Sequence, residues 1–494
     1  MKLELHPTYI EVVDADKDVQ LKLIEAFSWV DSKAQFMLKR HREKVHTKPM
    51  KWCSVCNWNG KSELYKDGKL AIGFQERLLA HLNEWGVEYE VADCKPPLPV
   101  RQYDWHYLRD LRPYQQDILE AMLDCQYGVI EAATGAGKTA CAAAFICERG
   151  VPAIVLCPTK IIHGQFMDEL KHQTDIPVGQ IASGKYEEAP VQIAITKSLM
   201  DKDGRVKEEY LQDKQLIVVD EFHQSASNNY EKIINACPAY YRFGFSATPF
   251  RATDLECNML TGIAGEVIAK IDTETLQEEG YLCASDIRMV PASVRYDRRA
   301  YDDDGELQDT TYADRYRQGI VENAERNQAI AEIVDYHSER QEKVLVIVSW
   351  TDHADVLLPM FPESTIYLSG HDTPKKTLEK RDQFRSQDGG VMIGSPVVDV
   401  GFDVPDCQVV IMAGAGSYDG RQRQRLGRGL RIADGKTVAT IYDFLDDDRG
   451  TGGRPMFWQH SKARMQAYKD VGQAVTEYET VEAALGVGQN RLAL

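Results

Sequence analysis

After residue 100 the chain alternates short β-branched apolar runs with helical segments, the pattern of parallel sheets covered by helices. Candidate strands are Tyr127–Ala132, Pro152–Cys157, Gln192–Thr196, Gln215–Asp220 and Arg242–Ser246. A second set comprises Lys343–Val348, Thr365–Leu368, Val391–Gly394, Gln408–Met412 and Thr440–Asp443. The fold class is therefore α/β, with two similar lobes in tandem over 96–271 and 272–450. Between the sets, Tyr296–Gln308 is polar and carries the turn pair Asp304–Gly305, which predicts a surface excursion opening the second lobe. The proline-rich stretch Lys95–Val100 reads as a linker, because successive prolines disfavour helix and sheet alike. A small α/β module, residues 1–95, precedes it, and residues 451–494 read as a mainly helical tail.

Composition narrows the class without fixing the chemistry. Hydrophobic content of 43% and charged content of 27% suit a globular protein, and no apolar run approaches a membrane span. The eleven cysteines are scattered, several in apolar stretches such as Cys141, Cys147 and Cys157, which fits reduced, buried thiols and a cytoplasmic setting. A formal charge of −18 argues against polyanion binding by the whole surface but leaves room for a locally basic site. Lys33–Lys61 is such a place, with eight basic residues against the single acid Glu43, interleaved with Phe36, Trp52 and Trp58. Within it His41, His46, Cys53 and Cys56 offer one tight Cys-x₂-Cys pair where zinc sites of this kind show two, so it is not read as a metal site.

The sharper signals are four motifs in order. Glu131–Thr139 (EAATGAGKT) follows a strand and opens an alanine-rich helix, the context in which backbone N–H groups of Thr134, Gly135, Ala136 and Gly137 and a helix N-terminus cradle phosphates. Lys138 would reach the outer phosphates and Thr139 would ligate Mg²⁺; Ala132 stands where the strict pattern has its first glycine. Asp220 and Glu221 end a buried-strand run, placing Asp220 to hold Mg²⁺ and Glu221 to orient and deprotonate a water. His223 follows, a candidate link to Ser246–Thr248 in the string SATP (Ser246–Pro249). Finally Arg425, Arg428 and Arg431 recur every three residues with Gln424 beside them, along one side of a helix. Arginines delivered from a second lobe neutralise charge in a phosphoryl-transfer transition state.

Together these residues resemble the superfamily 2 helicases over roughly residues 108–446. Gly135–Thr139 looks like motif I, Asp220–His223 (DEFH) like a DEAH-type motif II, Ser246–Pro249 like motif III and Gln424–Arg431 like motif VI. Leu111–Gln115 (LRPYQ), with Arg112 and Gln115, matches the segment whose glutamine recognises adenine; Gly394–Pro405 looks like motif V, with Gly401 and Asp403 near the nucleotide. The string Gly244–Asp254 (GFSATPFRATD) narrows the resemblance to the XPB-like branch, which includes phage UvsW-type helicases. Asn57–Leu64 is similar to the small DNA-contacting domain before the motor in the latter.

The resemblance implies RecA-like lobes, ATP and Mg²⁺ as cofactors, and DNA as partner. It also implies a 3′→5′ helicase or translocase working on forked or branched DNA as a monomer, in a phage-infected bacterial cell. Nucleic-acid contacts would come from Thr159, Thr196, Ser349 and Ser395, though each hydroxyl also suits a strand end or helix cap. An RNA helicase, or a non-unwinding DNA translocase subunit of a restriction-type complex, is compatible with the same motor motifs.

Overall fold

The computed structural model describes residues 1–30, 61–223, 228–247, 254–301, 307–394, 407–416, 438–470 and 472–486. The chain divides into two compact units. One is Met1–Ala132 with Gly137–Lys270; the other is Ile271–Leu494 with the short segment Ala133–Ala136.

The first unit is built on an eight-stranded sheet. Its order is Lys185–Tyr186, Val178–Ala182, Val191–Ile195, Ala153–Cys157, Leu216–Asp220, Tyr241–Ser246, Tyr127–Ala132, Val267–Ile271. From Val178–Ala182 through Tyr127–Ala132 successive pairs are parallel. Its three central strands, Ala153–Cys157, Leu216–Asp220 and Tyr241–Ser246, are buried at every position, as a parallel sheet covered on both faces requires. Helices on its faces begin and end where the local chemistry dictates. Thr159 caps Lys160–Gln173 by accepting the Ile162 N–H, and Gly150 at φ +56° closes Lys138–Arg149.

The N-terminal residues belong to this same unit. A second sheet, ordered Lys69–Ala71, Tyr9–Val13, Lys2–Leu5, Glu90–Asp93, packs Leu3, Leu5, Ile10 and Val12 under the helices Lys17–Ala26 and Gln75–Glu84. This layer lies against the helix Asp254–Ala264. A Cβ on Gly73 would come within 1.9 Å of the Thr261 carbonyl, so only glycine permits that approach. Arg77 donates to Asn258 at 2.5 Å and pairs with Glu266 at 2.7 Å. Lys61–Glu63 pairs antiparallel with Ser28–Val30; the basic stretch from Lys33 through Gly60, with His41, His46, Cys53 and Cys56, lies outside the described residues.

The second unit holds a seven-stranded parallel sheet in the order Ile366–Leu368, Gly390–Gly394, Lys343–Ile347, Val409–Met412, Val438–Asp447, Ala284–Ser293, Ala474–Glu477. The polar excursion is an antiparallel hairpin of Arg299–Tyr301 with Leu307–Asp309, its turn outside the described residues. The tail is not helical throughout. Besides the helices Met456–Lys469 and Val481–Leu485, it supplies the strand Ala474–Glu477 to the sheet.

Beneath that helix lies a buried ionic cluster. Arg464, 0% exposed, pairs through Nε with Asp443 at 3.0 Å and through Nη2 with Asp446 at 3.3 Å. It also donates to the Gly416 carbonyl at 2.8 Å. Arg326 joins from the helix Ala324–Ser338, pairing with Asp446 at 2.8 Å and donating to the Ala413 carbonyl at 2.7 Å. The two acids hold the Arg464 guanidinium charged against the desolvation that opposes it.

Candidate nucleotide site

The turn between the strand Tyr127–Ala132 and the helix Lys138–Arg149 has the backbone a phosphate cradle needs. Gly135 sits at φ +91° and Gly137 at φ +80°, left-handed conformations that favour glycine. Gly137 is doubly constrained, because a Cβ there would stand 2.3 Å from Nε2 of Gln115. The Ala136 N–H donates to the Ala133 carbonyl at 3.1 Å, closing the turn. Ala132 is the buried last residue of the strand and is absent from the positive-φ positions. A Cβ therefore costs nothing there, which explains the tolerated departure from glycine.

Gln115 is 6% exposed at the start of the helix Pro113–Asp124. Its Oε1 accepts the Arg112 N–H at 3.0 Å, which fixes the side-chain amide beside Gly137. The Arg112 guanidinium donates to the Tyr114 hydroxyl at 3.1 Å.

The candidate carboxylates Asp220 and Glu221 come from the end of Leu216–Asp220, with Tyr241–Ser246 between that strand and Tyr127–Ala132. The parallel register sets Asp220 level with Phe245 and Ser246 level with Glu131, so Leu216–Asp220 and Tyr241–Ser246 end at the level of the turn. Lys138 Nζ stands 3.9 Å from Glu221 Oε1, and Glu221 Oε2 stands 3.3 Å from His223 Nδ1. That same His223 nitrogen is 3.0 Å from Ser246 Oγ. Glu221 reaches this position at φ +50°, a left-handed backbone that costs a non-glycine residue about 1–3 kcal/mol and persists where surroundings impose it. Lys138, Glu221, His223 and Ser246 thus form one chain of polar contacts from the phosphate turn to the SATP segment. Thr248 and Pro249 lie outside the described residues.

Asp220 is the clearest indication of a cation. Its Oδ1 is buried without a hydrogen-bond partner. Its carboxyl is pushed up to about 7, by burial first and then by the Glu221 charge, with Lys138 opposing. A divalent cation would reverse that balance, so the residues fit Mg²⁺, with Asp220 and the Thr139 hydroxyl on the first helical turn as the groups to hold it. Magnesium supplies charge neutralisation of the transferred phosphoryl group.

The sign of the pH dependence follows. Asp220 titrates above its ordinary value, so its contribution to the stability of the metal-free protein is present at low pH and lost as pH rises through about 7. Mg²⁺ competes with the proton. At subsaturating Mg²⁺, turnover should fall about tenfold per pH unit below the Asp220 pKa, and saturating Mg²⁺ should move that limb to lower pH. Identical acid limbs at both Mg²⁺ concentrations would remove Asp220 from the metal site.

The remaining candidates divide. Thr159 is a helix cap, and Thr196 is 5% exposed with its hydroxyl 3.3 Å from the Cys157 carbonyl. Ser349 lies beside Gly414, where a Cβ would come within 2.2 Å of its Oγ. Gly401, Asp403, Ser395, Gln424, Arg425, Arg428 and Arg431 lie outside the described residues. Of the segment Ser246–Thr248 expected to meet His223, Ser246 is the residue that strand register brings to it. Among the described residues no helix is long and apolar enough to cross a membrane.

The family model for "Type III restriction enzyme, res subunit" matches residues 109–251, and that for "Helicase conserved C-terminal domain" matches 325–433. The chain is 27% identical over 374 residues to a putative DNA 3′-5′ helicase Rad25 of Halobacterium salinarum, covering 74% of this chain but 58% of that protein. It is 25% identical to the DNA 3′-5′ translocase XPB2 of Sulfurisphaera tokodaii, covering 66% of this chain and 79% of that one.

Among solved structures, the type ISP restriction-modification enzyme LlaBIII bound to DNA overlays with TM-score 0.56 at 13% identity. That overlay covers 82% of this chain and 34% of that one, a likeness of fold. The crystal structure of T4 UvsW aligns with 97% of this chain and 99% of that one, at 16% identity and TM-score 0.42. Two parallel-sheet lobes, a phosphate turn at the sheet end that carries Asp220 and Glu221, and these two family matches make the chain similar to the superfamily 2 helicases, with relatives in the XPB group.

Proposed function

We propose that this chain is an ATP-hydrolysing DNA translocase that separates or remodels forked and branched DNA with 3′→5′ polarity. The observation that carries the reading is the convergence of Lys138, Glu221, His223 and Ser246, at the ends of Leu216–Asp220 and Tyr241–Ser246 and the start of the helix Lys138–Arg149, beside the orphaned Asp220 oxygen. This is a site organised around a nucleoside triphosphate and Mg²⁺. The relatives named above supply the choice of DNA and the direction.

In this reading Lys138 leaves Glu221 for the outer phosphates, freeing the Glu221 carboxylate to take a proton from the attacking water. His223 then reports that change to Ser246 and the segment beyond it. Arg428 and Arg431 are assigned to charge neutralisation, with Gln424 beside them, and Gly401 and Asp403 to the nucleotide. Thr159, Thr196, Ser349 and Ser395 are assigned to the DNA backbone, and Lys33–Lys61 to a grip on duplex. Separating duplex costs on the order of 1.4 kcal/mol per base step, so hydrolysis rather than passive capture must drive it.

The test measures ATPase stimulation and strand separation on 3′-tailed, 5′-tailed, forked and four-way DNA beside a tailed duplex RNA. Separation of the 3′-tailed and forked DNA, with little on the 5′-tailed or RNA substrates, is expected. Preference for RNA would overturn the substrate assignment. The restriction-subunit match over 109–251 favours a second reading, a duplex-DNA translocase that does not unwind. Triplex displacement along duplex DNA without strand separation would select it.

A further inference from the structure

Three side chains of metal-ligand type, with Glu11 beside one of them, meet on the N-terminal sheet, on the face turned away from its apolar core. Leu3 and Leu5 are buried, so the two-residue period of a strand sends Lys2, Glu4 and, one step beyond the strand, His6 to the opposite face. Glu11 lies between buried Ile10 and Val12 and takes the same outer face. The parallel register sets Leu5 level with Asp93, which carries Cys94 to the level of His6. The Cys94 N–H donates to the Leu5 carbonyl at 2.9 Å. One donor atom from each of Glu4, His6 and Cys94 lies within 4.8 Å of the other two.

Two features of this cluster suit a bound cation, beside the offsetting charges of Lys2 on Glu4 and Lys69 opposite Glu11. Glu4 stands directly opposite Glu11 in the antiparallel register, an arrangement that destabilises a sheet when both carry like charge. His6 Nε2 is buried and has no hydrogen-bond partner, although Glu4 Oε2 stands 3.9 Å away and Glu11 Oε2 3.8 Å away. The imidazole is held in this orientation by stacking on Tyr9, ring centroids 4.4 Å apart. The neighbouring cations do not fill this role. Lys2 takes the other oxygen of Glu4, Oε1, at 2.6 Å, and Lys69 stands over the Tyr9 ring.

We propose that Glu4, His6 and Cys94, with Glu11 as fourth ligand, bind one zinc ion. A thiolate, an imidazole and two carboxylates form a donor set suited to a borderline-soft divalent cation. Tetrahedral zinc with bonds of about 2.0–2.3 Å places its ligand atoms roughly 3.3–3.6 Å apart. The 3.8 and 3.9 Å separations therefore close by a few tenths of an ångström of side-chain movement. Binding releases the Cys94 thiol proton to solvent. Lys2 stays on Glu4 Oε1 and orients the carboxylate from outside. The ion ties together the strands Lys2–Leu5, Tyr9–Val13 and Glu90–Asp93, and it fixes the point from which the proline-rich stretch departs. The site is structural, remote in sequence from the phosphate turn, and its test does not depend on helicase activity.

The full-length chain, stripped with chelator under reducing conditions, is titrated with Co²⁺ and then with Zn²⁺. One Co²⁺ per chain should bind with a thiolate-to-cobalt charge-transfer band, and Zn²⁺ should displace it and raise the melting temperature. Cys94→Ser should abolish the band while the protein stays folded, because the side chain is exposed. His6→Gln should weaken Zn²⁺ binding by more than about tenfold, since losing a direct ligand exceeds the effect of losing an outer partner. Cys53→Ser/Cys56→Ser should leave the band intact. Absence of the band, its persistence in Cys94→Ser, or its loss in the Cys53/Cys56 double variant would each overturn the assignment.

Discussion

Glu221→Gln is expected to lower ATP turnover by about 10²–10⁴-fold, the range for loss of a positioned general base, while Mg·ATP binding stays largely intact. The substitution keeps side-chain size at a residue whose left-handed backbone is imposed by its surroundings, so the site should retain its shape. Only the charge that faces Lys138 and His223 is lost. Lys138→Ala instead removes the cation assigned to the phosphates, and should weaken nucleotide binding as well as hydrolysis. Equilibrium nucleotide binding and single-turnover hydrolysis on both variants separate the two roles. A Glu221→Gln protein with near-normal turnover would falsify the water-activation assignment.

Arg464→Ala should destabilise the second lobe by about 3–5 kcal/mol, the usual cost of leaving a buried ion-pair partner unpaired. Asp443 and Asp446 are both 0% exposed, so neither can recover its hydration when the guanidinium is removed. For a unit of this size the melting temperature should drop by roughly 10 °C. Neutralising Asp443 at the same time, while Asp446 keeps its pair with Arg326, discriminates charge from packing. Arg464→Met with Asp443→Asn should recover a substantial part of the loss if uncompensated charge is responsible. Calorimetry on the wild-type, single and double variants checks this, and equal destabilisation of the single and double variants would point to packing alone.

The sheets were legible where burial makes a strand uniformly apolar. Lys343–Ile347 and Leu216–Asp220 announce themselves because both faces are covered, and hydrophobic runs then mark their own boundaries within a residue or two. Strands that mix polar and apolar positions escaped. Ala284–Ser293 carries Asp286, Arg288 and Pro291, reads as broken, and yet is paired along its whole length with Val438–Asp447. The pair Val178–Ala182 and Lys185–Tyr186 escaped too, although Ser183 and Gly184, at φ +53° and +81°, form the two-residue turn that joins them.

The phosphate turn could be read because its chemistry is contiguous. The buried cluster around Arg464 could not, since Arg326, Asp443, Asp446 and Arg464 are brought together only by folding, and each alone reads as a solvated charge. The group of Glu4, His6 and Cys94 was hidden for the same reason, with some ninety residues separating ligands that strand register makes neighbours.

The tail strand Ala474–Glu477 also bears on how the protein behaves at high concentration. It covers Asp286–Met289, the stretch of Ala284–Ser293 whose backbone groups would otherwise form an open edge of the sheet. Just beyond lies Pro291, which has no N–H to offer an incoming strand. The tail and the proline together blunt a template for intermolecular β-pairing, the route by which exposed edges seed aggregation. A chain trimmed before Ala474 would keep its phosphate turn and lose this protection, so its failure in solution would be self-association rather than loss of chemistry.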